Sequence, residues 1–275
     1  MPSINEVLLG IRKRFRYAAI EDAGREAGLI LGMVLEMDLT GLVTFRDRLF
    51  PEEKQGELEA LVQRRLGGEP VQYILGEWEF MGLPFRVTPA ALIPRQDTET
   101  LVEQGLDLVK SNGCRTALDL CCGTGCVGIS MAALGGLEVT MSDLSPACVA
   151  LSRENAEKNG VLEHCCFCQG DLFQAVPGQR FDMILSNPPY LADGEFAYVQ
   201  RELLFEPRMA LAGGPDGLDF YRRIAGEYRD YLNPGGVLLM EVGWLQAKTV
   251  QSFFPGPTLV QDDLNGVARV VIAMA

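Results

Sequence analysis

Two short segments combine residue types that chemistry can use. The first, Asp119-Leu-Cys-Cys-Gly123-Thr-Gly125-Cys-Val-Gly128, spaces three glycines among small side chains. Glycine accepts a positive φ and lets backbone amides approach a ligand closely, so a loop of this kind can cradle a nucleotide. Asp143 closes the next apolar stretch. A carboxylate there can accept both hydroxyl hydrogens of an adenosine ribose. The second segment, Phe181-Asp-Met-Ile-Leu-Ser-Asn187-Pro188-Pro189-Tyr190, ends an apolar run in an amide, two prolines and an aromatic ring. The prolines stiffen the backbone. The Asn187 side-chain oxygen and the Pro188 carbonyl are then two fixed acceptors, able to hold both hydrogens of an NH₂ group. Tyr190 can lie flat against a planar amide or base.

The glycine loop by itself serves two chemistries. One is hydride transfer with a dinucleotide, the other methyl transfer from S-adenosylmethionine. Such loops also occur as turns that hold nothing. Other candidates are weaker. Cys122 and Cys126 have a tolerable zinc-ligand spacing, but they lie in the loop already given a use. The eight cysteines, at 114, 121, 122, 126, 148, 165, 166 and 168, read as small reduced core residues, and no metal site is expected. His164 is the only histidine and reads as a surface residue.

The elements that must position these segments are set by periodicity. Residues 4–66 read as helices, with Leu8, Leu9, Ile11 and Phe15, then Ala27, Leu31, Val34 and Leu35, then Leu58, Leu61, Val62 and Leu66 at helical spacing. Pro51 opens the last of these and Gly67-Gly68 ends it. Residues 1–70 are therefore expected to be a helical domain. Residues 71–92 read as a β-hairpin about Met81-Gly82 that links it to the remainder of the chain. A helix is expected from Thr98 to Lys110. From residue 115 strands and helices alternate, at 116–120, 126–134, 138–142, 146–159, 165–169, 181–186, 218–232 and 236–242. This is the pattern of a doubly wound, mostly parallel sheet. Thr258–Gln261 and Val267–Met274 join through Asn265-Gly266, a strong turn signal, so the sheet is expected to finish in a hairpin with an antiparallel strand at or near its edge.

Composition narrows the function classes. The chain has 275 residues, 48% hydrophobic and 22% charged, with a net charge of −13. That is globular composition. Its acidity argues against direct nucleic-acid binding, which needs a basic footprint. The acidic excess lies almost wholly beyond residue 75 and would favour a basic protein partner or a cationic ligand. The cluster Arg12, Lys13, Arg14 and Arg16 reads as a solvated helix face. No apolar run approaches the roughly 18 residues of a membrane span. The first residues do not form a signal-peptide pattern, so the expected compartment is the cytoplasm.

The whole pattern resembles a known family. The terminal hairpin resembles that of the class I S-adenosylmethionine-dependent methyltransferases, whose Rossmann-like sheet has seven strands. Asn187-Pro-Pro-Tyr190 resembles the motif of the amino-methyltransferases. The stretch Glu77–Glu99 is similar to the segment joining the two domains of the protein-(glutamine-N5) methyltransferases that act on peptide chain release factors. So are Gln72-Tyr73-Ile74, Phe205-Glu206-Pro207 and Asp263–Val270.

The resemblance implies an α/β catalytic domain over 93–275 and a substrate-docking role for the helical residues 1–70. It implies methyl transfer from S-adenosyl-L-methionine, leaving S-adenosyl-L-homocysteine, to the side-chain nitrogen of glutamine in the Gly-Gly-Gln motif of class I release factors. Runners-up are a ribosomal-protein glutamine and a nucleic-acid amino group. Carried over, the cofactor-binding set is Asp119, Cys121, Cys122, Gly123, Thr124, Gly125, Asp143, Asp171, Leu172 and Asn187. Asp143 takes the ribose role, Leu172 lies beside the adenine, and Asp171 can accept from its amine. The catalytic set is Asn187, Pro188, Pro189 and Tyr190. This chain departs from the family at three places. Cys121-Cys122 replaces a glycine-threonine pair, so an ordinary backbone is expected at Cys121. Gln96 replaces a proline. Leu172 stands where an aromatic residue is common.

Overall fold

Residues 1–275 are all described by the computed structural model, in two compact units, Met1–Glu77 and Trp78–Ala275. No helix is long and apolar enough to cross a membrane.

The first unit is helical, with α1 (Ile4–Tyr17), α2 (Ala23–Leu35), α3 (Leu39–Thr44), α4 (Gln55–Leu66) and α5 (Val71–Leu75). A reciprocal cap starts α1: the Glu6 amide donates to the Ser3 hydroxyl at 3.2 Å, and the Ser3 amide to the Glu6 carboxylate at 2.7 Å. The buried stripe of α1 is Ile4, Ile11 and Phe15, whereas Leu9 of the expected stripe is exposed. Ile30, Leu31 and Val34 of α2 are buried, as are Leu58 and Val62 of α4. Arg65 of α4 is fully buried and paired with Glu26 of α2, an ion pair that fixes the register of the two helices. Within the basic cluster, Arg14 forks onto Glu59 through two bonds of 2.7 Å.

The hairpin expected over 71–92 is shorter than that span. Pro70 and Gly76 bracket α5, and Gly76 stops it at φ 75°. The strands are β1 (Glu77–Phe80) and β2 (Leu83–Arg86), joined at Met81 and Gly82, both at positive φ. Phe80 and Phe85 meet edge to face and are buried in the core of the second unit.

The second unit continues with α6 (Glu99–Asn112), β3 (Thr116–Leu120), α7 (Cys126–Gly135), β4 (Glu138–Asp143), α8 (Pro146–Lys158), β5 (Cys165–Gln169), β6 (Phe181–Ser186), α9 (Asp219–Glu227), β7 (Leu232–Glu241), α10 (Ala247–Gln251), β8 (Thr258–Asp262) and β9 (Ala268–Met274). The seven-stranded order is β5-β4-β3-β6-β7-β9-β8. Only β9 runs against its neighbours, lying between β7 and the edge strand β8. Side chains alternate between two cores, as the two-residue period requires. Met183, Leu185, Val237 and Leu239 enter one; Ile184, Leu238 and Met240 enter the other.

Two further expectations do not hold. The helix expected over 218–232 ends at Glu227 and tightens into a 3₁₀ turn to Tyr231, because β7 already begins at Leu232. The ring of Tyr231 stacks on Phe173 at 4.4 Å and holds that turn down. The cysteines are not uniformly core. β5 is an edge strand, so Cys165 and Cys168 are only half-buried and Cys166 is exposed. Cys114 and Cys121 are also half-buried, whereas Cys122, Cys126 and Cys148 are buried. All eight are free thiols.

The strand order reverses between β3 and β6, and such a switch point opens a crevice beyond the carboxyl ends of the strands. Leu120 pairs with Ser186 and with Ser142. The residues that leave the three strands, Cys121, Asn187 and Asp143, therefore share one end of the sheet.

Candidate active site

A cavity of about 270 Å³ occupies that end. Its walls include Asp119, Cys121, Cys122, Gly123 and Thr124 from the first loop, Asp143 from β4, and Asp171 with Leu172. Thr98, Asn187 and Pro189 close the other side. Gly125 and Pro188 are buried and Tyr190 is half-buried, and none of these three lines the cavity.

The loop after β3 keeps its shape through contacts that admit no larger residues. The Gly125 amide donates to the Cys122 carbonyl at 2.7 Å, and the Cys122 amide to the Ser142 carbonyl at 3.0 Å. Gly125 stands at φ 80°, and a Cβ there would meet Ser152 at 2.8 Å. At Gly128 it would meet Met141 at 2.7 Å and Asp119 at 3.0 Å. The expectation of an ordinary backbone at Cys121 is wrong: its φ is 61°. The chain reverses there between Leu120 and Gly123, so the loop's path imposes the conformation on whichever side chain stands in the position. Such a conformation costs a non-glycine residue about 1 kcal/mol. Leu172 is likewise left-handed, at φ 49°, with its side chain buried in the wall.

The carboxylates fall into distinct situations. Asp119 is almost wholly buried and accepts the Gly128 amide at 2.9 Å, so it ties the start of α7 to β3. Burial pushes its carboxyl up to about 7. Asp143 accepts the Gly123 amide on one oxygen at 3.0 Å and the Ser145 amide on the other at 2.9 Å. Each oxygen keeps a lone pair for a hydroxyl donor. Burial raises this carboxyl too, against the pull of those amides. Asp171 faces Arg223 at 2.8 Å, so part of its acceptor capacity is committed outside the cavity.

The Asn187 amide is oriented. Its Nδ2 donates to the Thr98 hydroxyl at 3.1 Å, which leaves Oδ1 uncommitted. The backbone beyond it is braced twice. Gln246 donates to the Tyr190 carbonyl at 3.0 Å while accepting the Gly243 amide at 3.0 Å. Leu191 exchanges two bonds of 2.8 Å with Leu211 and Gly213. Burial drives the Tyr190 phenol well above its ordinary range. His164 is exposed and pairs with Glu138 at 2.9 Å.

Several supporting residues have a role that the sequence alone does not assign. Buried Glu206 accepts the Ile93 amide at 2.9 Å and pairs with Arg95, anchoring residues 93–95 to the segment between β6 and α9. Thr98 and Gln246 brace the Asn187 segment.

The chain's likeness to known proteins agrees with this geometry. Residues 6–76 match the PrmC N-terminal domain family, and residues 98–216 the methyltransferase small domain family. A release factor glutamine methyltransferase of Geobacter sulfurreducens is 40% identical over 98% of this chain and 95% of that protein. One from Bradyrhizobium diazoefficiens is 36% identical over 98% and 94%. Among solved structures, a methyltransferase from Pyrococcus furiosus superposes with a TM-score of 0.50 at 16% identity, covering 80% of this chain and 98% of that one, a likeness of fold alone. The fold is that of the class I S-adenosylmethionine-dependent methyltransferases, and with identity of this depth along nearly its whole length the chain belongs to the release factor glutamine methyltransferase family.

Proposed function

We propose that this chain methylates the side-chain amide of the glutamine in the Gly-Gly-Gln motif of class I release factors, using S-adenosyl-L-methionine, in the cytoplasm. The observation that carries the chemical reading is the Asn187 amide, turned by Thr98 so that its oxygen is free at the cavity. The relatives' common activity supports the substrate. Eight free thiols fit a reducing compartment.

The cavity suits this cofactor. Asp143 offers two acceptor oxygens, held rigidly by backbone amides, to a ribose diol. Leu172 supplies an apolar wall for the adenine, and Asp171 an acceptor beside it. A Cβ at Gly123 would meet nothing nearer than Ala91 at 3.8 Å, so the space beside this glycine is left for a ligand. When bound, the cofactor supplies an electrophilic methyl group on a sulfonium.

The protein has to present a poor nucleophile, since an amide lone pair is delocalised into its carbonyl. Asn187 Oδ1 and the Pro188 carbonyl accept the two amide hydrogens and fix the direction of the nitrogen. Both oxygens also favour positive charge growing on that nitrogen. Tyr190 covers the plane of the amide, and with its phenol held neutral it adds no charge. The nitrogen becomes acidic only as it loses its lone pair, so its proton can leave after transfer. Positioning and electrostatics carry the rate.

The test is methyl transfer from labelled S-adenosylmethionine to purified release factor, with intact mass and peptide mapping. A single added methyl on the Gly-Gly-Gln glutamine is expected. Label elsewhere, or none, refutes the reading.

A further inference from the structure

We propose that Arg95, held by the buried carboxylate of Glu206, is the receptor for the carboxylate of the cofactor's methionyl group. The inference rests on S-adenosylmethionine as the cofactor and not on the identity of the protein substrate.

The cofactor carries charges of both signs. Its sulfonium and its ammonium are positive, and its carboxylate is negative. The cavity wall is acidic, through Asp119, Asp143 and Asp171. Such a wall suits the two cations and repels the carboxylate. An anion taken into a site of this kind needs a cation or charged N–H donors beside it. Arg95 is the only basic residue among those lining the cavity.

Its place in the chain agrees with this role. Asp143, Asp171 and Leu172 come from the loops after β4 and β5, on the side given to the ribose and adenine. Arg95 belongs to the opposite wall, just before Thr98, whose hydroxyl meets Asn187 Nδ2 at 3.1 Å. The sulfur must come close to Asn187 for transfer. The carboxylate follows the sulfur by a short carbon chain, which a long arginine side chain on that wall can meet.

The guanidinium is fixed but not used up. The Glu206 side chain is 1% exposed, and its two oxygens are divided between two partners. Oε2 accepts the Ile93 amide at 2.9 Å, and Oε1 pairs with Arg95 Nη2. The backbone of residues 93–95 and the tip of the side chain are therefore held by one buried group. A guanidinium has five N–H donors, of which Glu206 takes one. The Arg95 side chain keeps 37% of its surface exposed, so the others are left for a ligand. An ion pair that served stability alone could lie anywhere in the fold. This one presents its cation to a cavity whose other charged groups are all acidic.

The experiment is isothermal titration of the full-length protein with S-adenosylhomocysteine, its methyl ester and 5′-methylthioadenosine. The ester keeps the ammonium but loses the negative charge, and methylthioadenosine lacks the whole amino-acid group. Wild type should bind S-adenosylhomocysteine at least about tenfold more tightly than the ester. Arg95→Leu should weaken S-adenosylhomocysteine at least about tenfold and change the other two by no more than about twofold. Arg95→Lys should recover part of that loss. Glu206→Gln keeps an acceptor for the Ile93 amide but gives up the charge that holds the guanidinium. It should weaken S-adenosylhomocysteine about threefold or more, with methylthioadenosine within about twofold. A wild-type ester affinity equal to that of S-adenosylhomocysteine overturns the proposal. So does an Arg95→Leu variant in which all the ligands weaken equally, or none does. An equal loss for all of them in Glu206→Gln would overturn the part given to Glu206. An Arg95→Leu variant that keeps its S-adenosylhomocysteine affinity and loses only affinity for release factor would assign the guanidinium to the protein substrate, against the proposal. If Arg95→Leu does not fold, the wild-type ester comparison and Arg95→Lys decide the matter.

Discussion

Asn187 meets the cavity with one end of its amide because the other end is already bound to Thr98. Cutting the side chain back to alanine removes an acceptor from the clamp but nothing from the wall that holds Asp143 or Gly123. Asn187→Ala is therefore expected to leave S-adenosylmethionine affinity within about 1.4 kcal/mol, roughly tenfold, and to lower turnover by about 100-fold or more. Isothermal titration and single-turnover transfer measure the two separately. Near wild-type turnover would remove the clamp from the mechanism. That Asn187, Asp143 and Gly123 come to one cavity is legible in the sequence because each belongs to a local motif at the end of an apolar strand. Thr98 lies far from Asn187 in the chain, and only folding brings its hydroxyl to the Asn187 amide. Cys121 departs from expectation for the opposite reason: the loop's turn imposes the backbone there, and the residue's own preference does not.

At the scale of elements, the junction of β3 with α7 concentrates the cost of the site. Asp119 holds the first turn of α7 through the Gly128 amide, yet burial pushes its carboxyl up to about 7. Its unfolded value is near 4, so the folded protein binds the extra proton between these limits. Stability from this group is full below about pH 4, declines as pH rises towards 7, and is flat above. Asp119→Asn keeps an oxygen for the Gly128 amide and removes the titration. In cofactor-free protein the variant's urea midpoint, relative to wild type, should rise from pH 5 to pH 8. A constant difference would show that Asp119 ionises freely in the fold. The strands themselves are legible because buried parallel strands are continuous apolar runs. α5 is not: five residues are too few to show a helical period, and Pro70 and Gly76 delimit it at positions a hairpin reading also allows.

At the scale of the molecule, the division at Glu77 and Trp78 separates the cavity, which lies wholly in the second unit, from a helical unit that contributes nothing to its walls. A Gly-Gly-Gln tripeptide offers little side-chain surface, so the clamp alone discriminates weakly between proteins that contain one. Specificity then needs a second contact with the body of the release factor. The first unit has surface for it: Lys13 and Arg16 are exposed on α1 beside Leu9 and Tyr17, and Met33 and Val43 are exposed on α2 and α3. The competing view is that this unit only stabilises the catalytic one. Deleting residues 1–76 separates the two, provided the remainder is first shown to fold and to bind S-adenosylmethionine. Docking requires kcat/KM for whole release factor to fall at least about tenfold, while that for a short Gly-Gly-Gln peptide changes little. Stabilisation requires both to fall together, because a loosened cavity cannot tell a peptide from a protein. An equal loss for the two substrates, or no loss for either, would rule out docking by the helical unit.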